Sequence, residues 1–353
     1  MKSKRLVVSI FLLMALPFCG KNLSGPGEES QGKLVFVVTD TTVGPFGLYT
    51  MNLDGSELQP IAMAGDTIYF PGSWGDYYVL RSGNAPSFVT NPQWSPDGSR
   101  IVCQLTWAYD GYVIMMMNAD GTDKHVLWKV RSAATRPQWS PEGDKILFMR
   151  SGYAGAVFAT GIVDASGEND HDFATPVDSP YVFEGDSVWF YGDYQWGPTG
   201  KMIYATARVN KPIAWGEYKV GDVLENEIFS LDSHTGAILG RITRNRIDED
   251  RFLLSPDGRY AAFKRGKYGQ SNSFFVLSLE NWEVTEIPCD NTIGAFWNWS
   301  NDSKKIVFAK DENPDPCCNQ DMYLYMVAIE QPDKITKLTN FIAAEPDLYV
   351  TQD

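Results

Sequence analysis

Apolar residues in this chain come in short runs, and each run stops at a turn. Ile101-Val102-Cys103, Ile146-Leu147-Phe148, Met202-Ile203-Tyr204, Tyr260-Ala261-Ala262-Phe263 and Ile306-Val307-Phe308 are the strongest runs. Each is preceded by the same phrase. It reads Pro92-Gln93-Trp94-Ser95-Pro96-Asp97-Gly98, then Pro137-Gln138-Trp139-Ser140-Pro141-Glu142-Gly143. Worn copies are Gln195-Trp196-Gly197-Pro198-Thr199-Gly200, Leu253-Leu254-Ser255-Pro256-Asp257-Gly258 and Asn298-Trp299-Ser300-Asn301-Asp302-Ser303. Pro fixes φ and Gly accepts φ > 0, so Pro-Asp-Gly predicts a tight reversal between two strands. Third strands follow over 112–117, 274–279 and 322–329, often ending in a second turn such as Asn118-Ala119-Asp120-Gly121. Beyond the leader, no long stretch keeps a helical period. Short strands at even spacing with Gly-containing turns predict an all-β fold.

The Trp-equivalent positions 94, 139, 196, 254 and 299 are 45, 57, 58 and 45 residues apart. Self-similarity on that scale means a repeat architecture, and this period fits a blade of four strands. The phrases resemble the TolB-type β-propeller repeat, Pro-x-Trp-Ser-Pro-Asp-Gly, strand, strand, Asn-x-Asp-Gly. The resemblance spans residues 33–350. It implies a six-bladed β-propeller of four-stranded antiparallel blades, and for function it implies binding roles without supplying a partner, because propellers host many unrelated activities.

The two ends of the repeat array complement each other. Lys33 to Val38 matches the second strand of a blade and has no Pro-x-Trp strand before it. At the far end, Glu345-Pro346-Asp347-Leu348-Tyr349 stands where Pro-x-Trp belongs. The C-terminal strand is therefore expected to close the ring in the first blade, beside Lys33 to Val38, which removes exposed sheet edges. The blades are then 33–62 with the C-terminal strand, 86–130, 131–178, 188–245, 246–288 and 289–340. Residues 63–85 and 178–190 are left as insertions, the first with room for two strands.

The leader carries a different signal. Lys2, Lys4 and Arg5 precede an apolar run of 13 residues, Leu6 to Phe18. That is the shape of a secretory signal (residues 1–18) and is too short to span a bilayer. A Cys closing the run resembles a bacterial lipobox, which implies lipidation of Cys19, although Phe18 departs from the small residue found before such a Cys. Ordinary secretion and an uncleaved anchor are the alternatives. Residues 19–32, rich in Gly, Ser and Glu, read as a flexible tether, and 33–353 as one propeller domain.

The formal charge of −14 becomes about −17 once the three leader cations are removed. This excludes the basic stripe of a nucleic-acid binder and leaves any membrane link to the anchor alone. Expected localisation is the bacterial envelope, periplasmic or on the outer membrane. Cys103 reads as a small apolar core residue. Cys317 and Cys318 are adjacent in a polar hairpin, with Cys289 one strand away in sequence. Three states are open to them: one of the pair bonded to Cys289, the two bonded to each other, or both free. The three His stand alone, without zinc spacing, so neither a metal nor another cofactor is expected.

Gly-x-Ser-x-Gly and phosphate-binding loops are missing, and no catalytic residue is assigned. Two constellations could bind a ligand. One is the amide before the repeated Trp, at Gln93, Gln138, Gln195 and Asn298, placed at equivalent radii by the repeat. Its plainer role is to satisfy buried backbone groups. The other is the surplus of aromatics outside the phrase, with Trp74, Trp107, Trp189 and Trp215 foremost, the second and fourth in loop-like stretches. These could anchor a protein, stack on sugars, or cap blade interfaces. The leading expectation is a tethered scaffold engaging an envelope protein or peptide. The alternative is a carbohydrate-binding or carbohydrate-active propeller. Carboxylates and His converging at one channel mouth would favour the second; an apolar groove without them would favour the first.

Overall fold

The computed structural model describes residues 32–40, 42–63, 65–69, 77–80, 88–107, 111–128, 133–151, 158–173, 181–210, 226–243, 249–265, 273–288, 293–312 and 321–351. Six sheets stand in a ring. Blade I opens with β1 (Gly32–Val38), β2 (Gly47–Asn52) and β3 (Gln59–Met63). Next come β4 (Thr67–Tyr69) and β5 (Tyr77–Val79), then the body of blade II, β6 (Phe88–Trp94), β7 (Arg100–Trp107), β8 (Gly111–Asn118) and β9 (His125–Trp128). Blade III is β10 (Ala133–Trp139), β11 (Lys145–Ser151), β12 (Phe158–Asp164) and β13 (His171–Phe173). Blade IV is β14 (Tyr181–Phe183), β15 (Asp186–Trp196), β16 (Met202–Val209), β17 (Asn226–Asp232) and β18 (Ile238–Arg241). Blade V is β19 (Glu249–Leu254), β20 (Tyr260–Arg265), β21 (Ser273–Ser278) and β22 (Val284–Ile287). Blade VI is β23 (Ile293–Trp299), β24 (Lys305–Asp311), β25 (Met322–Ala328) and β26 (Ile335–Lys337).

The last strand, β27 (Ala343–Val350), returns to blade I, whose order is β27-β1-β2-β3. It pairs antiparallel with β1, from Gly32↔Val350 to Val38↔Ala343. The ring closes as the sequence predicts. The blade count of six also holds, with two corrections to the blades themselves. Residues 63–85 carry β4 and β5, which extend the outer edge of blade II through Tyr69↔His125 and make it six-stranded. Residues 178–190 supply β14 and the start of the inner strand β15, making blade IV five-stranded. Trp107 is also not in a loop-like stretch: it ends β7, opposite Gly111.

The repeated phrase has local causes. Gly98, Gly143, Gly200 and Gly258 adopt φ of 70°, 72°, 65° and 70°, where an L side chain is strained. The buried motif serines tie the turn together. Ser95 Oγ accepts the Arg100 N–H at 2.9 Å and donates to Asp97 Oδ1 at 2.6 Å, and the pattern recurs at Ser255 with Tyr260 and Asp257. Hydrogen bonds from the Ser95 hydroxyl and from the N–H and hydroxyl of Ser99 hold the Asp97 carboxyl below the usual carboxylate range. The second turns do the same for Asp54, Asp120 and Asp232.

Apolar burial is shared out between neighbouring blades. One cluster joins Val35, Leu48, Trp94, Ile101 and Leu105 across blades I and II, and another joins Leu34, Val307, Leu324 and Leu348 across VI and I. Cys103 is fully buried in the first of these, and burial pushes its thiol well above the ordinary range.

Candidate functional site

The inner strands of the six blades, β27, β6, β10, β15, β19 and β23, surround a cavity of about 560 Å³. Its wall repeats the motif: Pro92, Pro137 and Pro346; Trp94, Trp139, Trp196 and Trp299; and the amides Gln93, Gln138, Gln195 and Asn298. Among the lining residues the charged ones are Arg136, Glu345 and Asp347. A chain with a formal charge of −14 thus encloses a nearly neutral channel.

The amides tie each blade to the next. Gln93 Oε1 accepts the N–H of Trp139 at 2.7 Å, from blade II to III. Gln138 Nε2 donates to Tyr194 O at 2.9 Å, from III to IV. Gln195 does both to Leu254, accepting its N–H at 2.8 Å and donating to its C=O at 2.9 Å. Asn298 Nδ2 donates to Pro346 O at 3.1 Å, from VI to I. Blade V carries Leu253 at this position, and there the Trp299 indole N–H reaches back to Leu253 O at 2.9 Å. In blade I the position belongs to Asp347, whose Oδ2 accepts the Trp94 N–H at 2.7 Å. A belt of hydrogen bonds therefore runs round the inner wall. This is the plainer of the two roles foreseen for the amides, since buried backbone groups need partners.

The belt leaves one polar atom on three of the amides. Gln93 Nε2, Gln138 Oε1 and Asn298 Oδ1 have no protein partner among the described residues and are not fully buried. Each lies in the wall of the cavity.

Sequence reasoning missed a second set of residues. Asn91, Arg136 and Glu345 each precede the motif Pro, line the cavity, and have φ of 48°, 51° and 54°. A left-handed backbone costs a non-glycine residue on the order of 1–2 kcal/mol. The cause is a bulge: register shifts fall between Thr90 and Gln93 and between Thr135 and Gln138, and opposite Glu345 between Val35 and Val37. Glu345 accepts the Asn91 N–H through Oε2, and Gln104 Oε1 accepts from Asn91 Nδ2 at 3.3 Å and from Arg136 N at 3.4 Å. The sequence signal was the match of Glu345-Pro346-Asp347 to the motif, which puts Asp347 in the amide position. Burial pushes its carboxyl up to about 7, against the lowering effect of the Trp94 and Leu348 N–H groups.

Of the aromatic candidates, one has its side chain among the described residues. Trp189 lies on β15 opposite Arg208, half-buried and outside the cavity wall. The side chain of Trp107 lies outside the described residues, as do Trp74, Trp215, Cys19, Cys289, Cys317 and Cys318. Among the described residues, no group of three or more His, Cys, Asp or Glu is placed to hold a metal ion.

At the level of sequence, no protein-family model and no curated protein matches the chain. Solved structures do. TolB from Acinetobacter baumannii is similar over 90% of this chain, with a TM-score of 0.62 and 16% identity; the match covers 66% of that protein's chain, just short of two thirds. A structure assigned to TolB from Agrobacterium tumefaciens is similar over 90% of this chain and 92% of its own, with a TM-score of 0.52 and 16% identity. At that identity the likeness is one of architecture, and the chain has the fold of a TolB-like six-bladed β-propeller.

Proposed function

We propose that this protein is an envelope-tethered scaffold whose axial cavity receives an extended, uncharged segment of a protein partner. The observation that carries this reading is the composition of the wall. Pro and Trp rings alternate with one unpaired donor, Gln93 Nε2, and two unpaired acceptors, Gln138 Oε1 and Asn298 Oδ1. A polypeptide backbone offers the matching acceptor and donors at short intervals, and prolyl or aliphatic side chains pack on indole faces. A charged ligand would meet one Arg, one Glu and Asp347, whose carboxyl burial pushes up to about 7, so little net charge faces it. The TolB-like fold supports a binding role in general. The cationic, apolar, Cys-terminated leader supports attachment to the envelope through Cys19.

A photocrosslinking residue at Arg136, in the cavity wall, tests the site in intact cells, with one at exposed Trp282 as control. A protein adduct from position 136 and none from 282 is expected. Equal adducts from both, or a purified protein that binds glycans and yields no adduct at 136, would overturn the reading in favour of another surface or of carbohydrate. Labelled palmitate fed to the same cells should enter the wild type and not Cys19→Ser; equal labelling removes the lipid anchor.

A further inference from the structure

We propose that Asp347 makes the closing seam of the ring a proton-operated latch, fastened when its carboxyl is protonated and loosened when it is ionised. The inference is independent of what the cavity binds. It begins with position. At the site where four blades use Gln or Asn to reach the next blade, the one blade closed without a covalent link uses an acid. A neutral carboxyl has the inventory of a side-chain amide, with one acceptor oxygen and one donor. Protonated Asp347 can therefore accept the Trp94 N–H at the I–II seam as Gln195 accepts the Leu254 N–H at the IV–V seam, without carrying a charge. Ionised Asp347 only accepts, and it holds a charge in a place 6% exposed.

Among the described residues, no cation is paired with that carboxyl. Of the strands packed against β27, β6 and β23 bring no ionisable side chain. β1 brings Lys33, whose Nζ lies 3.8 Å from Glu57. β24 brings Lys305, Lys310 and Asp311, with Lys310 over the Tyr325 ring, and β25 brings Tyr323 and Tyr325. On β27 itself are Glu345, bound to the Asn91 N–H, and Tyr349, and Arg136 lines the same cavity. The influences acting on the carboxyl are burial, which raises its pKa to about 7, and two backbone N–H groups, which lower it. An acid whose native pKa lies above its unfolded value of about 3.9 stabilises the fold fully below that unfolded value. The contribution is lost as pH rises towards and through 7.

The test is thermal melting of the full chain at pH 5.5 and pH 8.0, for wild type and Asp347→Asn. Wild type should melt several degrees lower at pH 8.0, and Asp347→Asn should lose most of that difference and match or exceed wild type at pH 8.0. Hydrogen exchange of the Trp94 amide, corrected for intrinsic rate, should quicken at least tenfold in wild type over the same range and stay level in the variant. Identical pH slopes for the two proteins would overturn the latch. If the variant does not fold, carbon-13 titration of the wild-type carboxyl decides: a midpoint above 6 supports the latch, and one in the ordinary carboxylate range ends it.

Discussion

Blades III and I are built from the same motif and differ in how their inner strands arrive. In blade III, β10 to β13 follow one another along the chain. In blade I, β27 comes from the far end, more than 290 residues from β1 in sequence. The inner strand of blade III is held to blade II by Gln93 on the Trp139 N–H, by the Trp139 indole on Gln93 O at 3.3 Å, and by Arg100 4.7 Å above the Trp139 ring. β27 is gripped from both sides. Asn301 makes two bonds to Val350, at 2.6 and 3.0 Å, and Asn298 holds Pro346. From β27 towards blade II run Glu345 to Asn91, Asp347 to Trp94, and the Tyr349 hydroxyl to Asp97 O at 3.2 Å. β10 is also tied on by Gln138 to Tyr194 O and by its Arg136 N–H to Gln104 Oε1, so the two inner strands are held comparably by side chains. For β27 those ties, with its pairing to β1, do the placing that chain continuity does for β10. Loop-closure entropy grows only as the logarithm of length, so these ties meet a modest cost.

The largest break in this contrast is removal of the closing strand. Deleting 343–353 uncovers Leu34, Val35 and Phe36 and removes buried Leu348 and Val350. At about 1.5–3 kcal/mol for each buried side chain, the loss approaches the 5–15 kcal/mol that typically holds a domain together. The truncated protein is expected in the insoluble fraction, or with no cooperative melt by circular dichroism. A soluble product with an unchanged melting temperature would show the closing strand to be dispensable.

Two glycines sharpen the contrast at smaller scale. Gly98 and Gly143 occupy the same turn with nearly the same φ. A Cβ at Gly98 would stand 2.5 Å from the Tyr349 ring, whereas at Gly143 the nearest atom is Pro96 Cδ at 3.5 Å. Both changes to Ala cost about 1–2 kcal/mol of left-handed strain. Gly98→Ala should cost at least ~1 kcal/mol more, of the order seen on overpacking a core. Urea unfolding of both, and of Gly98→Ala combined with Tyr349→Ala, reads this directly; equal costs for the two single changes would mean the closing strand is loosely seated.

The smallest effect separates the ties themselves. Asn301→Ala strips partners from both backbone groups of Val350, and should cost about 1–3 kcal/mol for groups left unsatisfied. Gln93→Ala strands one such group, the Trp139 N–H, where Asn301→Ala strands two, and should cost about 1 kcal/mol, at the low end of the same range. A reversal of that order in denaturant unfolding would place the main grip on the continuous seam.

The ring, its six blades and its closure were legible because the motif repeats and because Glu345 to Tyr349 fills a gap left at Lys33. Period and register are properties of sequence order. What β4 and β5 would do was not legible, since an edge strand joins whichever sheet lies beside it in space. The amide belt was half legible: repetition put Gln93, Gln138, Gln195 and Asn298 on one circle, and only coordinates show each reaching the following blade. Asp347 was hidden for a different reason. Its sequence signal was in view, but a carboxylate among 44 acidic residues stands out only when its burial is known.

The pairing of β1 with β27 also fixes how the molecule answers to force. Gly32 and Val350 are partners at one end of an antiparallel pair, so the chain enters and leaves the ring at the same corner. A pull applied between the two ends loads that pair crosswise and peels it one rung at a time from Gly32 towards Val38. Strands dragged past each other lengthwise share the load over every rung and resist as a block. Mechanically, the ring is a zip with its slider at residues 32 and 350.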